Sequence, residues 1–233
     1  MRGSKAAVEC INDTKQSRLS DQNGDADDNA AALQRRILTY VNEGGCWTAW
    51  SNLYLVREGA MPDVGEYLVV ERLRDGRDIE IRALHPTDRD DMLAAIGRTG
   101  GQSLQRRFFV IKRGFSDREI AFFINIDFDK HVALVALTEE EGRPAIIGGG
   151  RYVVASAGQA EVAFLVVDAY QGRGVGRLLI KHLIAVARKA GLRALMAEVL
   201  PENGAMLRLF KDFGFRPTPH RDFGVVHLVL ELV

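Results

Sequence analysis

The chain has 233 residues, which is enough for one domain with an extension or for two small domains. Its composition is 47% hydrophobic and 27% charged, so it can bury a sizeable core and has the charge content of an ordinary soluble protein. The 31 Lys and Arg residues balance the 31 Asp and Glu residues. This net charge of zero argues against a general nucleic-acid or membrane-surface binder, which needs an excess of positive charge.

The cysteines and the apolar segments indicate a cytoplasmic protein. Cys10 and Cys46 are too few for a disulfide framework or a four-ligand zinc site, and free thiols are typical of a reducing compartment. No apolar run approaches the roughly 18 residues of a membrane-spanning helix, and the N-terminus has no apolar signal region. We therefore expect no metal, no membrane partner and no nucleic-acid partner.

The first 76 residues are predicted to form an appendage. Residues 1–30 are polar and acidic and cannot bury enough apolar surface to offset their ordering entropy, so we predict a disordered tail. Residues 31–76 are predicted to form an N-terminal extension with a helix over Ala31–Val41 and strands over Trp47–Val56 and Tyr67–Leu73. This extension either packs on the following domain or contributes to an oligomer contact.

The dipeptide Asp75-Gly76 predicts a β-hairpin turn, because it lies between two segments of alternating residues. The second strand of this hairpin, Arg77–Ile81, opens the main domain, which we place at residues 77–233.

Three helices are predicted in the next part of the chain. The first follows Pro86-Thr87-Asp88 and should end at Gly100-Gly101. The second begins near Ser103. The third spans Asp117–Asp127, with Asp117 as the expected N-cap.

The rest of the chain is predicted to contain strands and two more helices. The clearest helix spans Gly174–Ala190, with apolar residues on one face and Gly191 just beyond its end. Asn203 is a good N-cap for the other helix, which Gly214 ends. Glycines at positions 148–150 predict a bend or bulge. The predicted strands are His131–Leu137, Ala145–Val154, Glu161–Val167, Leu195–Leu200 and Val225–Val233.

The most informative segment runs from Glu161 to Arg177 and is predicted to be a strand, a glycine-rich loop and the start of a helix. Gly172, Gly174 and Gly176 remove side chains where the helix begins. Backbone N–H groups can then face an anion, and the helix dipole adds favourable potential. A diphosphate fits such a site, and Arg173 and Arg177 can add positive charge.

Two common nucleotide loops are excluded by their spacing. The Rossmann fingerprint Gly-x-Gly-x-x-Gly needs its third glycine one residue later than Gly176, and an acidic residue roughly 20 positions further on is also missing. A P-loop needs Gly-Lys followed by Ser or Thr, which is absent here. The remaining template is Gln171-x-x-Gly174-x-Gly176.

This template resembles the coenzyme A diphosphate loop of the GNAT acetyltransferases, and the resemblance extends over residues 79–233. Within that family the chain is most similar to bacterial protein-lysine acetyltransferases. The segments that carry the similarity are Leu73–Gly76, Ile81–Asp88, His131–Val135, Glu161–Arg177, Ala197–Met206 and Phe213–Phe215.

The resemblance implies a fold and a co-substrate. The fold is the GNAT fold, of α/β (α+β) class. Its sheet is mixed, mostly antiparallel and twisted, with six to seven strands, helices on both faces and a splayed central strand pair at the acetyl-CoA site. The implied co-substrate is acetyl-CoA, and no metal is implied.

Glu161 is the predicted general base. It lies ten positions before Gln171, and a glutamate at the matching place in the family's lysine acetyltransferases relays a proton from the incoming amine. A lysine amine has a pKa of ~10.4, so it arrives protonated and needs such a group. The alternatives are that Glu161 is a solvated strand-end residue, or that Glu198 on the next strand is the base.

The resemblance also implies cofactor-binding positions. Val166 and Val167 are expected to present backbone groups, one of which polarises the thioester carbonyl. Asn203 is expected to contact the cofactor arm as well as cap its helix. Phe210 stands where many family members have a tyrosine that protonates the departing thiolate, so here the thiolate has to leave unaided. The full predicted set is Leu165, Val166, Val167, Gln171, Gly172, Arg173, Gly174, Val175, Gly176, Arg177, Asn203 and Phe210.

The predicted reaction is direct transfer of an acetyl group from acetyl-CoA to the ε-amine of a protein lysine. No cysteine lies near the motif to suggest a covalent intermediate. The resemblance implies AMP-forming acyl-CoA synthetases as protein substrates. Two alternatives stay open: an N-acetyltransferase of small amines, and a non-catalytic regulatory module that binds acyl-CoA.

Overall fold

The computed structural model describes residues 64–219 and 224–232. The predicted tail, the helix over 31–41 and the strand over 47–56 lie outside these residues. Within them, eight strands form one sheet, in the order β1-β2-β3-β4-β5-β6-β8-β7. The strands are β1 (Leu68–Arg72), β2 (Asp78–Ala83), β3 (His131–Glu140), β4 (Arg143–Ser156), β5 (Gln159–Val166), β6 (Ala194–Val199), β7 (Arg216–Pro217) and β8 (Val226–Glu231).

Neighbouring strands of the sheet are antiparallel except for β5 and β6, which are parallel. This mixed, mostly antiparallel sheet confirms the predicted fold class. The sheet has eight strands rather than six to seven, because β1 joins it and because the two-residue strand β7 pairs with β8. The sequence pattern places the start of the main domain at residue 77. In the structure, β1 before this residue and β2 after it pair in the same sheet.

Helices cover both faces of the sheet, as predicted. Side chains alternate between the two faces along a strand, so the surroundings of neighbouring residues in β5 show what lies on each face. Phe164 lies beside Gly150 and Leu183 on one face, whereas Leu165 shares a small apolar cavity with Phe108 on the other. The α-helices of the described segments are α1 (Arg89–Gly97), α2 (Gly101–Phe108), α3 (Asp117–Ile124), α4 (Val175–Lys189) and α5 (Gly204–Asp212). Within residues 64–219 and 224–232, every helix is too short or too polar to span a lipid bilayer.

Several helix boundaries differ from the sequence prediction, and α3 ends at Ile124 rather than at Asp127. The pair Gly100-Gly101 does not end α1, which stops at Gly97; instead Gly100 is the extended N-cap of α2. The N-cap of α3 is Ser116 and not Asp117. The Ser116 hydroxyl accepts a hydrogen bond from the Glu119 amide, and the Glu119 carboxylate accepts one from the Ser116 amide. This reciprocal capping box satisfies two backbone donors at once, which favours Ser116.

The glycine run on β4 allows β5 and α4 to approach this strand closely. The register between β3 and β4 shifts just before Gly148, which confirms the predicted bulge. A Cβ atom at Gly150 would lie 2.5 Å from the Phe164 ring, and one at Gly148 would lie 3.1 Å from Val175 Cγ1. Glycine at these positions therefore brings the first residue of α4 against the middle of the sheet.

A chain of polar side chains joins the edge of the sheet to α4. Tyr67 Oη lies 2.5 Å from His182 Nδ1, and His182 Nε2 lies 2.9 Å from Glu71 Oε1. Lys181 Nζ donates to the same Glu71 oxygen at 2.7 Å. The hydrogen bond from Lys181 is the main cause that lowers the pKa of Glu71, and burial lowers the pKa of His182. A neutral imidazole therefore connects Tyr67 to an ionised carboxylate.

His131, at the start of β3, is buried as a neutral ring. The ring stacks on Phe122 with 4.7 Å between centroids, and its Nε2 accepts from Arg151 Nη1 at 3.1 Å. Burial, and then repulsion from Arg151, lower the pKa of His131 to about 2. The folded chain therefore excludes a proton that the unfolded chain binds in mildly acidic solution.

We predict that His131 makes the fold sensitive to acid. In the unfolded chain its pKa is about 6.5, so below this pH the free energy of unfolding should fall by about 1.4 kcal/mol per pH unit. His131→Gln should remove this contribution, whereas the control His85→Gln, at a half-buried position, should keep it. Urea unfolding between about pH 7.5 and about pH 5.5 measures the difference. Parallel pH profiles for wild type and His131→Gln would contradict the prediction.

Candidate active site

The central feature of the site is the divergence of β5 from β6. The two strands pair only at Gln159 with Ala194, Ala160 with Leu195 and Glu161 with Met196. Among the described residues, no further strand pairs with β5 on this side as it continues to Val166. The predicted splayed strand pair is therefore present, and the gap opens directly after Glu161.

A cavity of about 330 Å³ occupies this gap and reaches the glycine-rich loop. All of the predicted site residues line it except Val167 and Arg173. Those that line it are Glu161, Leu165, Val166, Gln171, Gly172, Gly174, Val175, Gly176, Arg177, Asn203 and Phe210. The structure thus brings together, in one concave surface, residues that come from β5, the loop, α4 and α5.

The loop places the N-terminus of α4 at the cavity. Gly172 and Gly174 have φ values of 73° and 103°, in the left-handed region that favours glycine. Gly174 is the N-cap, and α4 begins at Val175. The first N–H groups of a helix have no intrahelical partner, and the helix dipole makes this end electropositive. The arrangement can bind a diphosphate through backbone groups alone.

Gln171 holds the start of the loop in place. Its Nε2 lies within hydrogen-bonding distance of the Val166 carbonyl at 3.0 Å, Ser103 Oγ at 3.0 Å and Asp168 Oδ1 at 2.9 Å. The other carboxylate oxygen of Asp168 accepts from the Gly100 amide at 3.1 Å. The loop is therefore fixed to the end of β5 and to the first turn of α2.

Val167 is the first of the two predicted residues outside the cavity lining. Its amide donates to the Ile147 carbonyl on β4 at 3.0 Å, so it has a strand partner already. Because successive amides of a strand point in opposite directions, the Val166 amide points away from β4 and into the gap. Val166 is therefore the residue of this pair that can donate to a ligand.

Arg173 is the second predicted residue outside the lining. Its Nη1 lies 3.4 Å from Asp75 Oδ2, and its guanidinium lies over the Tyr170 ring. Arg177 lines the cavity but also donates to Asp212 at 2.8 Å. The two arginines that were expected to add charge to a diphosphate are thus partly neutralised by carboxylates.

The sequence patterns missed three cavity-lining arginines. Arg74 reaches the cavity from the β1–β2 turn, and Arg106 and Arg107 reach it from α2. Arg74 lies beside the hairpin dipeptide and within Leu73–Gly76, a segment that carries the family resemblance, but neither signal indicates a position in the cavity. No periodicity marks Arg106 and Arg107, since their contribution depends on where α2 packs relative to β5.

A second cavity, of about 640 Å³, lies on the other side of Glu161. Five residues line both cavities and so mark the passage between them: Arg107, Phe108, Glu161, Ala163 and Glu198. Glu161 stands at the point where the strands part. A ligand in the first cavity and a ligand in the second can therefore meet beside its carboxylate.

The passage carries both signs of charge. Burial lowers the pKa of Arg107 to about 10, and attraction to Glu161 offsets part of this effect. Burial, and then repulsion from Arg107, lower the pKa of Arg151 to about 9. Both guanidinium groups stay protonated at neutral pH. Glu198 lies 3.3 Å from His227 Nδ1 on the neighbouring strand. Among residues 64–219 and 224–232, no cluster of three or more acidic, His or Cys side chains could hold a metal.

Asn203, which precedes α5, and Phe210, which lies on it, line the far wall of the first cavity. Asn203 Oδ1 accepts from the Met206 amide at 3.3 Å, so Asn203 is the N-cap, as predicted. This cap uses the oxygen and leaves the side-chain amide nitrogen for another contact. The Phe210 ring is buried and packs on Phe164 and Phe215.

Known proteins resemble this chain in sequence and in architecture. The chain matches the acetyltransferase (GNAT) family over residues 102–215. An acetyltransferase of Pseudomonas aeruginosa is 35% identical over 147 residues, which cover 63% of this chain and 79% of that protein. The acetyltransferase Pat of Mycolicibacterium smegmatis is 31% identical over 157 residues, which cover 66% of this chain but only 46% of Pat.

A solved structure of a GNAT domain is also similar to this chain. The GNAT domain of S. lividans PAT is 34% identical and superposes with a TM-score of 0.66. The match covers 70% of this chain and 96% of that domain.

We predict that Gly174→Ala weakens coenzyme A binding. Apart from the two neighbouring residues in the chain, no atom of the described part of the protein lies within 4 Å of the added methyl group, so the effect should come from the backbone. A side chain in the left-handed region costs about 1–2 kcal/mol, and a loop that relaxes to relieve this strain should turn its amides away from the ligand. The dissociation constant, measured by calorimetry, should rise about tenfold.

Gly191→Ala is the matched control, because Gly191 has a φ of 72° at the opposite end of α4 and also has open space around it. It should lower stability by a similar amount and leave coenzyme A binding unchanged. Equal affinity of the Gly174→Ala and Gly191→Ala variants would contradict a role of the loop conformation in binding.

Proposed function

The chain belongs to the GNAT acetyltransferase family, and from this premise we propose that it transfers the acetyl group of acetyl-CoA to the ε-amine of a protein lysine. The observation that carries the proposal is the position of Glu161, in the passage between two cavities. Donor and acceptor enter from opposite sides and meet at this carboxylate. The resemblance to bacterial protein-lysine acetyltransferases favours a lysine as the acceptor.

On the donor side, the backbone of the loop binds the diphosphate of acetyl-CoA. Gly172, Gly174 and Gly176 leave the amides accessible, and the N-terminus of α4 adds positive potential. The free edge of β5 along Leu165 and Val166 pairs with the amide groups of the pantetheine arm. Asn203 adds a side-chain contact from the opposite wall.

On the acceptor side, a lysine side chain enters the larger cavity. Its ammonium group is attracted by Glu161 and Glu198, which line the inner end. An ammonium ion with a pKa of ~10.4 is not nucleophilic at neutral pH. Glu161 accepts the proton directly or through a water molecule, and the amine then attacks the thioester carbon.

The Val166 amide donates to the carbonyl oxygen as negative charge develops there. The bond to sulfur then breaks, and the sulfur leaves as a thiolate. A thiol with a pKa of ~8.5 is acidic enough for its anion to leave without a general acid. Phe210 has no proton to give, so water carries the second proton of the attacking nitrogen to the thiolate and leaves a neutral amide.

AMP-forming acyl-CoA synthetases are the first protein acceptors to test, since the resemblance to protein-lysine acetyltransferases implies them. Enzyme and isotopically labelled acetyl-CoA are added to a cell lysate, and mass spectrometry scores newly labelled lysines. The same enzyme is assayed with polyamines and aminoglycosides. We expect labelled protein lysines and little turnover of small amines. Turnover of small amines alone would contradict the lysine proposal, and coenzyme A binding without any transfer would favour a regulatory module.

We predict that Glu161→Gln lowers kcat by about 10²–10⁴-fold, because the amide cannot accept the proton from the ammonium group. The affinity for coenzyme A should not change. The residual rate should rise about tenfold per pH unit up to about pH 10, since deprotonation of the lysine by solvent then replaces the lost base.

Glu198→Gln is the matched variant, because Glu198 lines the same two cavities and lies 3.3 Å from His227 Nδ1 on the neighbouring strand. Its kcat should fall less than about tenfold. A large loss in Glu198→Gln together with near-normal turnover in Glu161→Gln would identify Glu198 as the base instead.

A further inference from the structure

Three arginines near the glycine-rich loop already have carboxylate partners. Arg77 donates to Asp75 Oδ2 at 2.6 Å, and Arg173 lies 3.4 Å from the same oxygen. Arg177 donates to Asp212. Hydrogen bonds from Arg77 are the main cause that lowers the pKa of Asp75 to about 2, so Asp75 stays ionised at neutral pH. A phosphate therefore has to compete with these carboxylates for these three arginines.

Arg74 differs from these arginines. It is exposed and lines the same cavity as Gly172 and Arg177. Across residues 64–219 and 224–232, its guanidinium makes no hydrogen bond and no ion pair. Its charge is therefore available to a ligand in the cavity.

The position of Arg74 is set by the backbone of a tight turn. The Leu73 amide donates to the Arg77 carbonyl at 2.8 Å, and the Gly76 amide donates to the Leu73 carbonyl at 3.0 Å. Gly76 has a φ of 87°, which favours glycine there. The Leu73 side chain is buried in the core. The backbone of Arg74, which follows the buried Leu73 in this turn, therefore has a fixed position.

The turn is also attached to the glycine-rich loop. Two guanidinium groups lie over the Tyr170 ring: that of Arg77 is 5.3 Å from the ring centroid, and that of Arg173 is 5.5 Å from it. The Tyr170 hydroxyl donates to Glu140 at 2.5 Å, and Asp75 links Arg77 to Arg173. These contacts hold the β1–β2 turn beside the amides of the loop.

We propose that Arg74 binds a phosphate group of coenzyme A, so that the β1–β2 hairpin is part of the donor site. This proposal rests on the proposed use of acetyl-CoA. The loop amides and the Arg74 guanidinium approach the ligand from two walls of one cavity. Coenzyme A carries a diphosphate and a 3′-phosphate, and a guanidinium forms strong, charge-assisted hydrogen bonds with either.

The experiment compares wild type with Arg74→Ala by calorimetry, with coenzyme A and 3′-dephospho-coenzyme A as ligands. A hydrogen-bonded charge contact predicts that Arg74→Ala binds coenzyme A about 10- to 100-fold more weakly. If the contact is to the 3′-phosphate, the two proteins should bind the dephospho ligand equally. If it is to the diphosphate, Arg74→Ala should weaken binding of both ligands.

Arg72→Ala is the control, because Arg72 is an exposed arginine of the same hairpin that pairs with Asp78 and lies outside the cavity lining. It should bind both ligands as wild type does. Wild-type affinity of Arg74→Ala for both ligands would overturn the proposal for Arg74 and leave the acetyltransferase proposal intact. Failure of the wild-type protein itself to bind coenzyme A would instead overturn the proposed function.

Discussion

The parting of β5 from β6 after Glu161 is the constraint on which the rest of the site depends. Backbone N–H and C=O groups inside a sheet need partners, and a strand that loses its neighbour keeps them unpaired along one edge. Pairing at three positions is enough to hold the strands together at one end. Beyond that point, the free edge of β5 offers the hydrogen bonds of a missing strand to an extended ligand of amide character.

Other parts of the fold fix the two ends of this gap. The glycines of β4 let Val175, the first residue of α4, approach the sheet, so the electropositive helix end is held at the mouth of the gap. Gln171 and Asp168 bind the loop to β5 and to α2. At the opposite end, Glu161 and Glu198 supply negative charge. The two ends of the site therefore differ, with backbone amides at one end and two carboxylates beside Arg107 at the other.

The sequence was sufficient for the parts of the site that are contiguous in the chain. The strand, the glycines and the helix start follow one another within Glu161–Arg177, so their spacing alone predicts an anion-binding loop. The β1–β2 turn and the boundaries of α4 were predictable for the same local reason. Ser116 and Asp117 show the limit of such reasoning, because both are good N-cap residues and only the reciprocal bond with Glu119 selects between them.

Parts of the site that depend on packing could not be predicted from the sequence. Arg173 pairs with Asp75, which is 98 positions earlier, and no local pattern reveals this contact. Arg74 and Arg107 line the cavity because a hairpin and a helix fold back toward β5. Periodicity reports which face of an element is buried, but it does not report which charged group meets which other element.

The hydrogen bonds that join Tyr67, His182 and Glu71 limit where the polypeptide can be truncated. A fragment that begins at Arg77 would lack both Tyr67 and Glu71, and each nitrogen of the buried His182 ring would lose the partner described above. The same truncation would remove β1, the outer neighbour of β2. β2 would then be an exposed edge strand that can pair with another copy of the protein. For expression of a minimal soluble unit, and for any exchange of modules between relatives, the hairpin belongs to the catalytic part of the chain.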